Sequence, residues 1–141
     1  MGGLYSTKVT ANGGRHGSIR SEGGLLDLKL ALPSALRGKD GATNLEQLFA
    51  GGYAACFENA LLHVCRDAGH RFADDEINVV ARIDLGRNET GGFVLAAALA
   101  VTMAGIDQQT AERLVQAAHA ICPYSNAIRG NVVVMISVSV R

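Results

Sequence analysis

A segment between Leu48 and Val64 limits the folds open to this chain more than any other feature. It is apolar almost all the way round a helical projection, and only Glu58, Asn59 and His63 interrupt it. Such a helix needs to be covered on most sides, because none of its faces prefers contact with water. We therefore expect a long central helix that the rest of the fold surrounds.

Local signals indicate where this helix begins and ends. Thr43-Asn-Leu-Glu46 has the Ser/Thr-x-x-Glu spacing of a capping box, which predicts a helix that begins there and continues to about Ala68. Its longest apolar run, from Leu48 to Phe57, has about half the length that spans a bilayer. We interpret the segment as a buried helix and expect no membrane association.

Alternating apolar and polar residues predict strands on both sides of the helix. Before it, alternation in residues 5–11 and 26–30, with glycine-rich breaks between them, predicts a short meander. After it, residues 79–85 and 93–103 predict two long antiparallel strands, and residues 132–140 predict a last strand.

A second helix completes the predicted fold. Asp107 is placed to cap it, apolar residues recur at spacings of three and four, and Pro123 ends it. Strands and helices in two similar halves predict the α+β class. With 141 residues, the chain is expected to form a single domain, residues 1–141, which is small for several buried helices without a partner.

Charge and cysteine content exclude several classes of function. Thirteen basic and thirteen acidic residues give zero net charge, and no basic run is present, so no nucleic-acid partner is expected. The first residues lack the basic start and apolar stretch of a secretion signal. Three cysteines are an odd number for a disulfide-framed secreted domain, so a reducing, cytoplasmic setting is expected.

Two of the cysteines stand in contexts that suggest a dithiol with a redox cycle. Cys56 follows the small residues Ala50-Gly-Gly, which let other groups approach closely. Cys122 lies between the second helix and a turn fixed by Pro123. We expect Cys56 to be embedded in the fold and Cys122 to be mobile.

Four segments resemble the organic hydroperoxide resistance proteins, the Ohr branch of the OsmC-like superfamily, over nearly the whole chain. They are residues 13–15, 43–50, 52–57 and 118–131. The resemblance implies a metal-free peroxidase without a prosthetic group, in which Cys56 is peroxidatic, Cys122 is resolving, and Arg15 and Glu46 form the activating pair.

The resemblance also implies the assembly and the partners. Similar proteins are intertwined homodimers, with sheets wrapped around long central helices. They reduce alkyl or lipid-derived hydroperoxides and are reduced in turn by lipoylated proteins or other dithiols.

The chemistry of these residues is consistent with the implied roles. A peroxide is cleaved by a thiolate, which the permanently charged guanidinium of Arg15 is suited to stabilise. The carboxylate of Glu46 is suited to orient that guanidinium through paired hydrogen bonds. Attack produces a sulfenic acid at Cys56, and its condensation with Cys122 gives a disulfide that protects the sulfur from further oxidation.

Helix geometry predicts that the site is completed across a homodimer. Glu46 and Cys56 are ten residues apart, which on one continuous helix corresponds to about 15 Å along the axis and roughly 80° around it. The Glu46 of a second subunit can therefore reach Cys56 more easily than the Glu46 of the same helix can, unless Gly51-Gly52 breaks the helix sharply enough to fold it back.

The chain departs from the family pattern at three places. It has Leu45 where Pro is usual, Ala55 where Ser is frequent, and Glu58-Asn59 where two uncharged residues are usual. The first change loosens the helix entry, the second removes a hydroxyl near Cys56, and the third alters the apolar character of the pocket.

Other interpretations of the same residues stay open. Glu46 also fits a capping box alone, Arg129 is a rival activator, and Cys65 is interpreted as structural because it lies on the opposite side of the helix from Cys56. A zinc site has no supporting pattern of spacing. Two other functions remain: a non-catalytic protein that binds small apolar ligands, and a cysteine hydrolase that uses Cys56 with His119.

Overall fold

A computed structural model describes residues 2–141 and divides the chain into two compact units. The first unit ends at Leu48 and the second is Phe49–Arg141. Each unit is described by itself below, and the prediction of a single domain stays a prediction.

The first unit contains a three-stranded antiparallel sheet in the order β1-β2-β3. Its strands are β1 Val9–Asn12, β2 Ser18–Ser21 and β3 Asp27–Lys29. Strand β2 was not predicted, because its one apolar residue, Ile19, gives no alternation. The turn before it depends on glycine: a Cβ on Gly17 would lie 1.6 Å from the carbonyl oxygen of Asn12.

The long helix α1, Leu45–Asp67, is present with nearly the predicted ends. Its predicted cap is wrong by one residue. The N–H of Gln47 donates to Oδ1 of Asn44 at 2.9 Å, so Asn44 rather than Thr43 caps the first turn. The Thr43 hydroxyl instead donates to the Gln47 side chain, and Glu46 is left free to bind elsewhere.

One stripe of α1 forms the centre of the second unit. Tyr53, Phe57, Leu61 and Cys65, at intervals of four residues, are all at most 1% exposed. The opposite face is less covered than predicted, and Ala55 on that face is exposed. A single chain therefore covers the apolar helix on one side only.

The second sheet has the order β4-β5-β6, with β5 in the centre. Strands β4 Ile77–Arg87 and β5 Phe93–Met103 are antiparallel, as predicted, and β6 Val134–Val140 is parallel to β5. A parallel neighbour needs a crossover, which the helices α2 Gln108–Ile121 and α3 Pro123–Ile128 supply.

The cap predicted for α2 is confirmed, since Asp107 accepts a hydrogen bond from the N–H of Thr110 at 3.0 Å. That bond lowers the pKa of the Asp107 carboxyl. The residues of α2 that face inward, among them Val115 and Ala118, pack with α1 and β5 in a single apolar core. This core therefore fixes both α1, which carries Cys56, and α2, which ends just before Cys122.

Within residues 2–141, no helix has the length and apolar character needed to cross a membrane.

Candidate active site

The structure brings the thiols of Cys56 and Cys122 together. Cys56 lies near the middle of α1 and Cys122 lies between α2 and α3, and their Sγ atoms are 3.6 Å apart. All three cysteines are free thiols. A disulfide requires a sulfur separation of about 2.05 Å, so the two sulfurs are in contact but not bonded.

The chain turns sharply at Cys122 for reasons that are visible in the sequence. A residue before proline is restricted to extended backbone, and Cys122 has φ −63° and ψ 122°. The N–H of Cys122 donates to the carbonyl of Ala118 at the end of α2. The carbonyl of Cys122 accepts a hydrogen bond from the N–H of Asn126 in α3. The corner therefore points the Cys122 side chain toward α1.

The burial of the two thiols is opposite to the expectation. Cys122, expected to be mobile, is fully buried, whereas Cys56, expected to be embedded, is partly exposed. Cys122 belongs to the apolar core, and the chain continues directly from it as the helix α3. Cys56 is thus the sulfur that an incoming molecule can reach.

The surroundings of Cys56 within its own unit favour the neutral thiol. Burial raises the pKa of Cys56, and the hydrogen bond and charge of Cys122 raise it further. The backbone N–H of Tyr124 lowers it in part. A positive charge from elsewhere is therefore needed if Cys56 is to react as a thiolate.

Arg15 and Glu46 form a bidentate ion pair in the first unit. Nη1 and Nη2 of Arg15 donate to Oε1 and Oε2 of Glu46 at 2.7 and 3.1 Å. The pair is partly buried, and the hydrogen bonds and charge of Glu46 raise the pKa of Arg15 against the effect of burial. A guanidinium has five N–H donors, so this pairing leaves three for other acceptors.

Sequence reasoning overlooked a hydrogen-bond network beside the cysteines, in which the two hydroxyls are fully buried and the histidine is partly buried. The Ser125 hydroxyl bonds the Tyr53 hydroxyl at 2.7 Å and Nδ1 of His119 at 2.8 Å. A spacing signal was available, because Tyr53 stands three residues before Cys56 and Ser125 three residues after Cys122.

His119 and Arg129 have packing roles in the corner between α2 and α3. Nη2 of Arg129 donates to the carbonyl of His119 and to Oδ1 of Asn126, each at 2.7 Å. Burial lowers the pKa of His119, and the charge of Arg129 lowers it further. Arg129 therefore braces this corner through Nη2.

Tyr124 forms an aromatic wall next to Cys56. Its ring packs against Phe49 and Tyr53, with ring centroids 6.5 and 6.1 Å away. Gly52 makes this packing possible, since a Cβ there would lie 3.0 Å from the Tyr124 ring. The predicted close approach to Ala50-Gly-Gly thus occurs at Gly52, whereas a Cβ on Gly51 would contact nothing within 4 Å.

An open groove of about 360 Å³ leads to Cys56. Ile121 and Pro123 line one side of it, and His63 and Arg66 line another. A mixed lining of this kind suits a ligand with an apolar chain and a polar end.

The remaining candidates carry no comparable arrangement. Cys65 is 1% exposed and stands alone, and burial raises its pKa to about 11, which makes it an inert thiol. In the part of the chain that the structure describes, no three His, Cys, Asp or Glu side chains are grouped to hold a metal ion.

Comparisons with known proteins show what the chain is similar to. The family model described as OsmC-like protein matches residues 38–137. The organic hydroperoxide resistance protein OhrB of Bacillus subtilis is 45% identical over 130 residues, which is 92% of this chain and 93% of the relative. Organic hydroperoxide resistance protein-like 2 of Staphylococcus saprophyticus is 43% identical, over 98% of this chain and 97% of its own.

Solved structures show the same likeness in three dimensions. The crystal structure of an organic hydroperoxide resistance protein from Legionella pneumophila superposes with a TM-score of 0.92 at 48% identity, over 98% of this chain and 99% of the other. The crystal structure of OhrB of Bacillus subtilis gives a TM-score of 0.86 at 41% identity, over 96% and 99% of the two chains.

Proposed function

The chain belongs to the OsmC-like family, within its organic hydroperoxide resistance branch, and from that premise we propose a two-cysteine peroxidase cycle. The protein is a cysteine-based reductase of organic hydroperoxides. The predicted α+β class and OsmC-like fold are confirmed, and the ligand-binding and hydrolase alternatives are not favoured. In our proposal Cys56 is the peroxidatic residue and Cys122 the resolving one.

The sulfur separation of 3.6 Å is the observation that carries this proposal. In the first step the Cys56 thiolate attacks the outer oxygen of the hydroperoxide, the O–O bond breaks, and the alkoxide takes a proton to leave as the alcohol. In the second step the Cys122 sulfur attacks the resulting sulfenic sulfur, an S–S bond forms, and the hydroxyl leaves with the thiol proton as water. Neither sulfur needs to travel far for the second step.

Activation of Cys56 is assigned to Arg15. The site around Cys56 favours the neutral thiol, so attack needs a cation that stays charged at every physiological pH. Arg15 meets this need, and the bidentate pairing with Glu46 fixes the orientation of its guanidinium.

A homodimer is proposed as the unit that completes the site. Helix α1 is continuous through Gly51 and Gly52, so those glycines do not fold it back on itself. Along a continuous helix, ten residues correspond to about 15 Å, which argues that the Glu46 of a second copy serves Cys56. A second copy would also cover the face of α1 that one chain leaves exposed.

The reductant is proposed to be a dithiol, such as a lipoyl group on a protein partner or free dihydrolipoamide. A dithiol resolves its own mixed disulfide intramolecularly, at high effective concentration. We also propose a cytoplasmic location, because a cycle that needs free thiols at Cys56 and Cys122 suits a reducing compartment.

The test is peroxide consumption with an alkyl hydroperoxide and dihydrolipoamide. Wild-type protein and the control Cys65→Ser should turn over, and Cys56→Ser should consume no peroxide. At matched thiol concentration, glutathione should support a slower rate than dihydrolipoamide. Turnover by Cys56→Ser, or equal rates with both reductants, would contradict the corresponding part of the proposal.

A further inference from the structure

Ser125 joins three helices through one buried oxygen. Within residues 2–141, Ser125 and Tyr53 are the only hydroxyl-bearing side chains that are fully buried. Tyr53 is on α1, Ser125 is on α3, and His119 is on α2. Both hydrogen bonds of the Ser125 hydroxyl, at 2.7 and 2.8 Å, therefore cross from one helix to another.

The network lies three residues from each thiol. Tyr53 precedes Cys56 by three residues, His119 precedes Cys122 by three, and Ser125 follows Cys122 by three. One helical turn separates each network side chain from its cysteine. A displacement of α3 away from α1 would therefore break the bond between Ser125 and Tyr53 and move the Cys122 sulfur away from Cys56.

Breaking these hydrogen bonds would cost free energy. A fully buried hydroxyl, such as that of Ser125 or Tyr53, cannot turn to water when it loses its partner, so its desolvation is left uncompensated. A hydroxyl has one donor and two acceptor positions, so the Ser125 oxygen can serve both neighbours at the same time. The corner that holds Cys122 is thus fixed by polar bonds as well as by apolar packing.

We propose that Ser125 is a positioning residue for the resolving step, acting through Tyr53 and His119. This inference rests on the proposed peroxidase cycle. Its two hydrogen bonds go to Tyr53 and His119 and not to a sulfur, so Ser125 takes no part in the attack of Cys56 on the peroxide. It governs the next reaction, in which Cys56–SOH and Cys122–SH give the disulfide and water.

Positioning matters in that reaction because both sulfurs must be aligned at contact distance. A misplacement of about 1 Å costs a reaction of this kind on the order of 100-fold in rate. Removal of one buried hydroxyl leaves the apolar packing in place, so a smaller displacement and a slowing of about tenfold are expected.

The experiment measures the two steps separately in the full-length protein. Reduced protein is mixed with one equivalent of an alkyl hydroperoxide, quenched with a thiol-alkylating reagent, and analysed by intact mass. Ser125→Ala should oxidise Cys56 at a rate within about twofold of wild type and close the disulfide about tenfold more slowly. With excess peroxide it should accumulate sulfinic acid at Cys56.

Two further variants keep the result interpretable. Tyr53→Phe removes one of the two bonds and should slow closure in the same direction even if Ser125→Ala does not fold. Val115→Ala, a buried core residue of α2 outside the network, should lower the melting temperature without changing the ratio of the two rates. This ratio separates a positioning role from a loss of stability.

Three outcomes are decisive. If wild type does not oxidise at Cys56, the proposed cycle fails and this inference fails with it. If wild type closes its disulfide, and Ser125→Ala and Tyr53→Phe each close theirs as fast as wild type does, the inference alone is overturned. It is also overturned if Val115→Ala, at a similar melting temperature, slows closure as much as Ser125→Ala does.

Discussion

The thiol of Cys122 is fully buried and lies 3.6 Å from the partly exposed thiol of Cys56. This asymmetry gives the two sulfurs different access to solutes. An external oxidant or alkylating reagent meets Cys56 first, and Cys122 is available only to Cys56.

The first prediction concerns the variant Cys122→Ser. It should react with one equivalent of peroxide at a rate close to wild type, because the resolving thiol takes no part in the first step of the proposed cycle. Without a resolving thiol, Cys56 should then accumulate as sulfenic and sulfinic acid, which intact mass measures. The same experiment on Cys56→Ser should show no first oxidation. If Cys122→Ser were inert and Cys56→Ser reacted, the assigned roles would be reversed.

The second prediction compares the two neighbouring glycines of α1. Gly52→Ala places a Cβ 3.0 Å from the Tyr124 ring, so that ring must give way, and we expect this to disturb the Tyr124 N–H that lowers the pKa of Cys56. Peroxide reduction should slow by about three- to tenfold.

Gly51→Ala is the matched control, since its Cβ has nothing within 4 Å. It should keep full activity and raise the free energy of unfolding by about 0.5–1 kcal/mol, because alanine loses less backbone entropy in a helix. Equal activity in both variants would show that the Tyr124 wall has no influence on Cys56.

The third prediction follows from the raised pKa of Cys65, about 11 against an ordinary value of 9.0. A thiol whose folded pKa is raised stabilises the fold fully below its unfolded pKa, and that contribution is lost as pH rises from about 9 toward 11. By pH 10.5 the loss should be about 2 kcal/mol, at roughly 1.4 kcal/mol per pH unit.

Denaturant unfolding of wild type and Cys65→Ala at pH 7, 9 and 10.5 measures this effect. The variant should be less stable at pH 7 because of its cavity, and the difference between the two proteins should shrink at pH 10.5. A difference that stays constant with pH would mean that Cys65 does not titrate as a buried thiol.

The fourth prediction tests the shared site. Cys56→Ser and Glu46→Ala are each expected to be inactive or strongly impaired as homodimers. If Glu46 of one subunit serves Cys56 of the other, heterodimers of the two variants should recover activity at one of two sites. Verified heterodimers without any recovery, or a fully active monomer, would exclude the shared site and leave the roles of the cysteines untouched.

The long elements were predictable from the sequence because their patterns are strong. Helix α1, the paired strands β4 and β5, and the Asp107 cap of α2 each follow from periodicity or a local signal. Strand β2 was missed because a short strand with one apolar residue carries no pattern, and the cap of α1 was misplaced because Thr43 and Asn44 are both good capping residues.

The candidate site was predictable only in part. The resemblance to the Ohr branch identifies both cysteines and implies the pair of Arg15 and Glu46, whereas charge alone does not single them out among thirteen basic and thirteen acidic residues. The burial of Cys122 and the contacts of Ser125 depend on how α3 packs after Pro123, which no local pattern encodes. Side chains three residues from each thiol acquire a joint role only when the fold brings three helices together.

The unequal exposure of the two sulfurs also decides how an oxidised molecule is returned to its starting state. In the proposed cycle, a reductant that approaches from solvent meets the Cys56 half of the disulfide, so it would form its mixed disulfide there and expel Cys122 as the leaving thiolate. The expelled sulfur stays within the interior, next to the bond it has just left, and competes to close it again. Reduction is therefore driven forward only by a reagent whose second thiol acts faster than that return.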